Sequence, residues 1–108
     1  MSVWLYLAQR LSAIVMVPLV LGHLILMIIA IQNGLTASEI LGRTQGSMFW
    51  AAYYGLFVAA VAVHAAIGLR NIAAETFRWR GAGLDLATAA VGTGLLVMGG
   101  RAVIAVVA

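Results

Sequence analysis

The sequence predicts an all-α integral membrane protein with three transmembrane helices, and three observations predict it. Of 108 residues, 65% are hydrophobic and only 8% are charged. That leaves too few polar side chains to cover a water-soluble core of this size. The mean hydropathy is +1.12. The charges are also clustered: Leu11–Ser38, Thr44–Leu69 and Leu86–Gly100 carry none. A bilayer core of about 30 Å needs about 20 such residues in a helix. Disorder is excluded by the same composition. The absence of Cys removes disulfides, thiolate zinc sites, iron–sulfur ligation and cysteine catalysis together. The net charge of +3, carried by six Arg against three acids, is then a topology signal rather than a sign of nucleic acid binding.

The spans are read as about 4–32, 47–71 and 86–107, in a single transmembrane domain over residues 1–108. Each must be helical, because lipid offers no partner for backbone N–H and C=O groups. Pro18 lies inside the first span, where a local kink is expected. Asn33-Gly34 stops that helix, and Ser38 with Glu39 reads as polar loop chemistry. Gly81, Ala82 and Gly83 break the chain before the third span, with Asp85 as its expected N-cap. In the third span, Gly92, Gly94, Gly99 and Gly100 would permit close helix packing, or simply reflect how common Gly is in membrane helices.

Orientation follows the Arg count. Arg10, Arg70, Arg78 and Arg80 fall on one side of a three-span arrangement, and Arg43 and Arg101 on the other. This places the N-terminus in the cytoplasm. Trp4, Trp50 and Trp79 fall near the interfaces, where amphipathic rings belong. The N-terminal apolar run is too long for a cleavable signal and lacks a small-x-small site.

Two histidines lie inside the spans, His23 on the first and His64 on the second, and intramembrane ionisable residues are functional candidates. No Asp, Glu or Lys accompanies them, which disfavours a transporter. An imidazole without a charged partner in lipid suits axial ligation of haem iron. The alternative is a neutral His bonding to a neighbouring helix. His23 lies about 20 Å past Arg10, and His64 about 9 Å before Arg70, at 1.5 Å per residue. The imidazoles therefore differ in depth by about 10 Å. If both bind haem, they serve two haems, each completed by another chain. Ala60 and Gly68, one turn either side of His64, would leave room for a flat macrocycle or for a packed helix. Leu19 and Met27 form an apolar wall around His23. Arg10 and Ser12, where the first span enters the membrane, suit a quinone carbonyl or a haem propionate, or Arg10 is a simple interfacial anchor. Tyr53 and Tyr54 read as interface aromatics.

Two segments, LAQRLSAIVMVPLVLGHLILM at 7–27 and FVAAVAVHAAIGLRNIAAETFRW at 57–79, resemble the membrane-anchor (cytochrome b) subunits of succinate dehydrogenase and fumarate reductase. The family's first-helix pattern is carried here by Gln9, Arg10, Ser12 and Ala13. Its second-helix pattern is carried by His64, Gly68, Leu69 and Glu75. The resemblance implies that His64 is an axial ligand of a haem b near the cytoplasmic side. The family's two-haem members carry a second His fourteen residues after the helix-1 Gln, a spacing met by Gln9 and His23. The chain thus looks more like the two-haem type. Two positions depart from the pattern: Ala13 stands for the common Gly, and Thr76 for a Tyr associated with quinone.

The resemblance implies half of a heterodimeric helix bundle, with a second membrane-anchor subunit as partner. An iron–sulfur subunit and a flavoprotein subunit would dock on the cytoplasmic face of a bacterial inner (plasma) membrane. The expected role is electron transfer between the iron–sulfur subunit and membrane quinone, with no dicarboxylate-processing residue in this chain. Arg10 and Ser12 are the quinone or propionate candidates. The rival reading is a haem-free structural or quinone-binding anchor for soluble dehydrogenase subunits.

Overall fold

The computed structural model describes residues 2–108. Its helices are α1 (Val3–Asn33), α2 (Ala37–Thr44), α3 (Met48–Thr76) and α4 (Ala82–Val107), with no strand among the described residues. Helices α1, α3 and α4 are each long and apolar enough to cross a membrane. At 1.5 Å per residue α1 spans about 46 Å, in line with the 47 Å long dimension of the molecule. A hydrocarbon layer of about 30 Å cannot contain that length, so the helix ends reach the headgroup region.

Little of the apolar surface is hidden within the chain. Leu19, Ala30, Ala60, Ala62, Ile67 and Leu84 are the buried hydrophobic residues, whereas Ile14, Leu21, Ile28, Leu86 and Met98 are exposed. In water such exposure would cost about 25 cal/mol per Å², and lipid removes that cost. The chain is a multi-pass membrane protein.

The helix ends show how backbone groups are satisfied. The Ser2 side chain caps α1 by accepting from the Leu5 N–H. Gly34, at φ 95°, ends α1 in a conformation that side chains avoid. The segment expected to be loop at Ser38 and Glu39 is instead the short helix α2. Thr36 caps it by accepting from the Glu39 N–H, and Glu39 pairs with Arg43 at 2.8 Å. Eight residues are too few for apolar periodicity to stand out. Its last turn seals the end of α4. Thr44 Oγ1 donates to the Val106 carbonyl at 2.6 Å, the Gly46 N–H to Val107 at 2.8 Å, and Gln45 Nε2 to Ala108 at 3.3 Å. These are the carbonyls that a helix C-terminus leaves without intrahelical partners.

Two further boundaries differ from expectation. Helix α3 continues past Asn71 to Thr76, because the charges at Arg70 and Glu75 end the apolar stretch without ending the helix. Helix α4 begins at Ala82, so Asp85 is not its N-cap; Gly81 holds that position at φ 102°. Asp85 lies in the first turn, where its carboxylate accepts from Arg70 Nε at 2.9 Å. Pro18 sits within the continuous α1.

Helix α3 packs against both α1 and α4. The glycines of α4 divide by face. A Cβ at Gly92 would lie 3.2 Å from Ala66 Cβ, and one at Gly99 2.5 Å from Val58 Cγ1, whereas Gly94 and Gly100 have nothing within 4 Å. On the other side of α3, the Tyr53 hydroxyl donates to the Leu19 carbonyl of α1 at 2.6 Å. Gly22 leaves room for it, since a Cβ there would lie 2.6 Å from that hydroxyl.

Two outcomes follow for stability in detergent. Gly99→Ala presses on the stiff Val58 and is expected to lower stability by about 1–3 kcal/mol, while Gly94→Ala is neutral or slightly stabilising, as read by thermal unfolding. Tyr53→Phe removes one interhelical hydrogen bond and is expected to cost about 1 kcal/mol in the same measurement.

Candidate functional site

The contacts place the two intramembrane histidines at different levels. On α3, His64 is half-buried, and its Nδ1 lies 3.3 Å from the Ser12 Oγ of α1. Ser12 is only 5% exposed, and its hydroxyl donates to the Gln9 carbonyl at 2.9 Å. A hydroxyl has one proton, and a carbonyl can only accept. With that proton on the Gln9 carbonyl, Ser12 Oγ faces Nδ1 as an acceptor, and Nδ1 carries the imidazole proton. His64 Nε2 is then the ring nitrogen with a free lone pair.

His64 also lines an open groove of about 340 Å³ with Ala13, Met16, Val17, Val20 and Leu21 of α1. Apart from the imidazole, the wall is apolar. This is an environment suited to a metal-bound flat macrocycle: an imidazole, an oriented ring and a hydrocarbon surface.

At Gly68 the neighbouring helix comes close. The open side of this glycine faces the Gln9 side chain, whose Nε2 would lie 3.6 Å from a Cβ at Gly68. Ala60 is itself buried. The small residues flanking His64 therefore let α1 pack on α3, and the space beside His64 is bounded by α1. Gln9 Oε1 is buried without a hydrogen-bond partner among the described residues.

Arg10 and Ser12 do not converge. Two positions apart on a helix, they point to opposite sides. Ser12 is turned into the α1–α3 contact, while Arg10 is exposed with its guanidinium carbon 5.6 Å from the Tyr6 ring centroid.

His23 lies toward the other end of α1. Its ring meets Phe57 and Tyr54 edge-on, with centroids 5.4 and 6.3 Å apart. Two small cavities, of about 270 and 230 Å³, share His23, Ile40 and Tyr54 as lining; the first reaches Thr44 and Val106, the second Met27 and Arg43. His23 is eleven residues past Ser12 on α1, about 16 Å, and Phe57 is seven before His64 on α3, about 10 Å. The imidazoles thus sit at separate levels, as residue counting indicates. Among the described residues no group of three His, Asp or Glu could hold a metal ion.

Phe57 is a residue that sequence reasoning missed, and Tyr54 reads from the sequence only as an interface aromatic. A signal was present: Trp50, Tyr53, Tyr54 and Phe57 follow i, i+3, i+4, i+7 spacing and form one aromatic face of α3. Their rings contact one another successively, from Trp50–Tyr53 at 5.4 Å to Tyr53–Phe57 at 6.5 Å. His64 continues that face one heptad beyond Phe57.

Comparison with known proteins gives one family. The family model described as succinate dehydrogenase/fumarate reductase transmembrane subunit matches residues 1–108. No curated protein and no solved structure gives a significant match.

Proposed function

The chain belongs to the succinate dehydrogenase/fumarate reductase transmembrane subunit family, and from that premise we propose that it is a haem-b-binding anchor carrying electrons between an iron–sulfur subunit and membrane quinone. The observation that carries this reading is the hydrogen-bond chain from His64 through Ser12 to the Gln9 carbonyl, at 3.3 and 2.9 Å. It leaves Nε2 of an intramembrane imidazole as a free donor beside an apolar groove. His64 Nε2 would hold the iron, and the α1 wall from Ala13 to Leu21 would bear on the macrocycle. Bound haem b would supply one-electron transfer, and this chain ligates, buries and tunes it.

The two levels support a second haem on His23, in a site lined by aromatic edges and the walls of the two small cavities. Each iron then needs a ligand from a second membrane-anchor subunit, for which the exposed apolar faces of α1 and α4 leave room. Arg10, exposed at the end of α1, is the cation available to a propionate or a quinone. Ser12 is already engaged with His64.

Arg10, Arg70, Arg78 and Arg80 gather at the end formed by the start of α1, the end of α3 and the start of α4. That excess supports a cytoplasmic N-terminus, with the iron–sulfur and flavoprotein subunits docking there.

The purified complex is expected to show b-type haem in its reduced-minus-oxidised visible spectrum, at two per flavin. Absence of haem would overturn the reading and leave a structural or quinone-binding anchor. His64→Ala and His23→Ala are each expected to remove one haem; a His23 variant with unchanged haem content would refute the second site.

A further inference from the structure

We propose that Ser12 is a positioning residue for the His64 imidazole, setting its tautomer, its ring orientation and its strength as an iron donor, rather than a contact to quinone. The inference rests on the haem reading above and goes beyond it, because it assigns Ser12 a role through another residue.

Three observations carry it. The first is occupancy. Ser12 Oγ has a short contact to the Gln9 carbonyl at 2.9 Å and a longer one to His64 Nδ1 at 3.3 Å. The one proton of the hydroxyl is used on the carbonyl and a lone pair is used on the imidazole, so Ser12 has no proton left to donate to a quinone carbonyl. The second is burial. At 5% exposure, Ser12 has almost no surface for a ligand. The third is direction. Arg10, the cation that would share a quinone carbonyl with it, is exposed at Tyr6, on the far side of α1.

The physical consequence is specific. A metal-bound imidazole whose other N–H is accepted by an oxygen is held in one tautomer and one plane, and becomes a better donor. A better donor favours the ferric iron over the ferrous and lowers the midpoint potential. A hydroxyl anchored on a main-chain carbonyl of the same helix is a rigid acceptor, because its own proton is fixed one turn back. Gln9 contributes through its backbone carbonyl, which a side-chain substitution leaves in place.

The test uses the purified complex with three variants: Ser12→Ala, which removes the acceptor; Ser12→Thr, which keeps a hydroxyl able to bond the same backbone carbonyl; and Ser12→Cys, which substitutes a weak acceptor. The readouts are a spectroelectrochemical titration and low-temperature electron paramagnetic resonance of the oxidised haem. Ser12→Ala is expected to raise the midpoint potential of the haem lost in His64→Ala, and to move its g-values. Its haem affinity is expected to fall by on the order of 10- to 100-fold. Ser12→Thr should restore the wild-type values, and Ser12→Cys should lie between. The haem lost in His23→Ala is expected to stay unchanged throughout, as the internal reference.

Unchanged potential and g-values in Ser12→Ala would overturn the proposal, most directly if the KM for quinone rose instead. Should Ser12→Ala fail to assemble, wild-type values in Ser12→Cys would overturn it equally. A complex in which His64→Ala removes no haem would instead refute the haem reading itself, a result separate from the failure of the Ser12 role.

Discussion

Within hydrocarbon a polar atom has no water to bond, so each one in this chain must be matched by protein or left for a ligand. The architecture answers to that constraint. Ser12 bonds the Gln9 carbonyl and meets the His64 imidazole, Tyr53 bonds the Leu19 carbonyl, and Thr44 bonds the Val106 carbonyl. The first two tie α1 to α3; the third ties the α2 turn to the end of α4. In water such bonds would be individually modest. Here they are among the few directional contacts available, since apolar contact alone does not distinguish helix from lipid.

What escapes this matching is informative. His64 is held through one ring nitrogen, which leaves the other free beside an apolar groove. His23 meets the edges of Tyr54 and Phe57 and lines two small cavities. Gln9 Oε1 is buried with no partner among the described residues. These open groups are the ones available to a ligand or to a neighbouring helix. The broad exposure of α1 and α4 has the same meaning: surface of this kind belongs against lipid or against a second bundle of helices.

Close packing works alongside the hydrogen bonds. Gly92 and Gly99 bring α4 onto Ala66 and Val58, and Gly22 makes room for the Tyr53 hydroxyl. With α3 thus fixed between its neighbours, the side chains of its aromatic face and the imidazole beyond it acquire definite positions. The site geometry is therefore a product of helix packing, and small residues set how near the helices come.

The sequence by itself determined three apolar helices, the Arg asymmetry between their ends, and two imidazoles at separate depths. Each of these depends on composition or on a fixed rise per residue, and both are local properties. Tertiary structure alone decided the partners. The α2 helix was illegible because eight residues, about two turns, are too few for an apolar period to stand out, and because its role depends on α4, some sixty residues away. Gly68 reads from its spacing as room for a macrocycle or for a packed helix, and α1 brings Gln9 to that side. Ser12 and Arg10 read as a pair, yet helical rotation separates them and gives Ser12 to His64. The spacing of residues on one helix says which side chains share a face; only the packing of another helix says what that face meets.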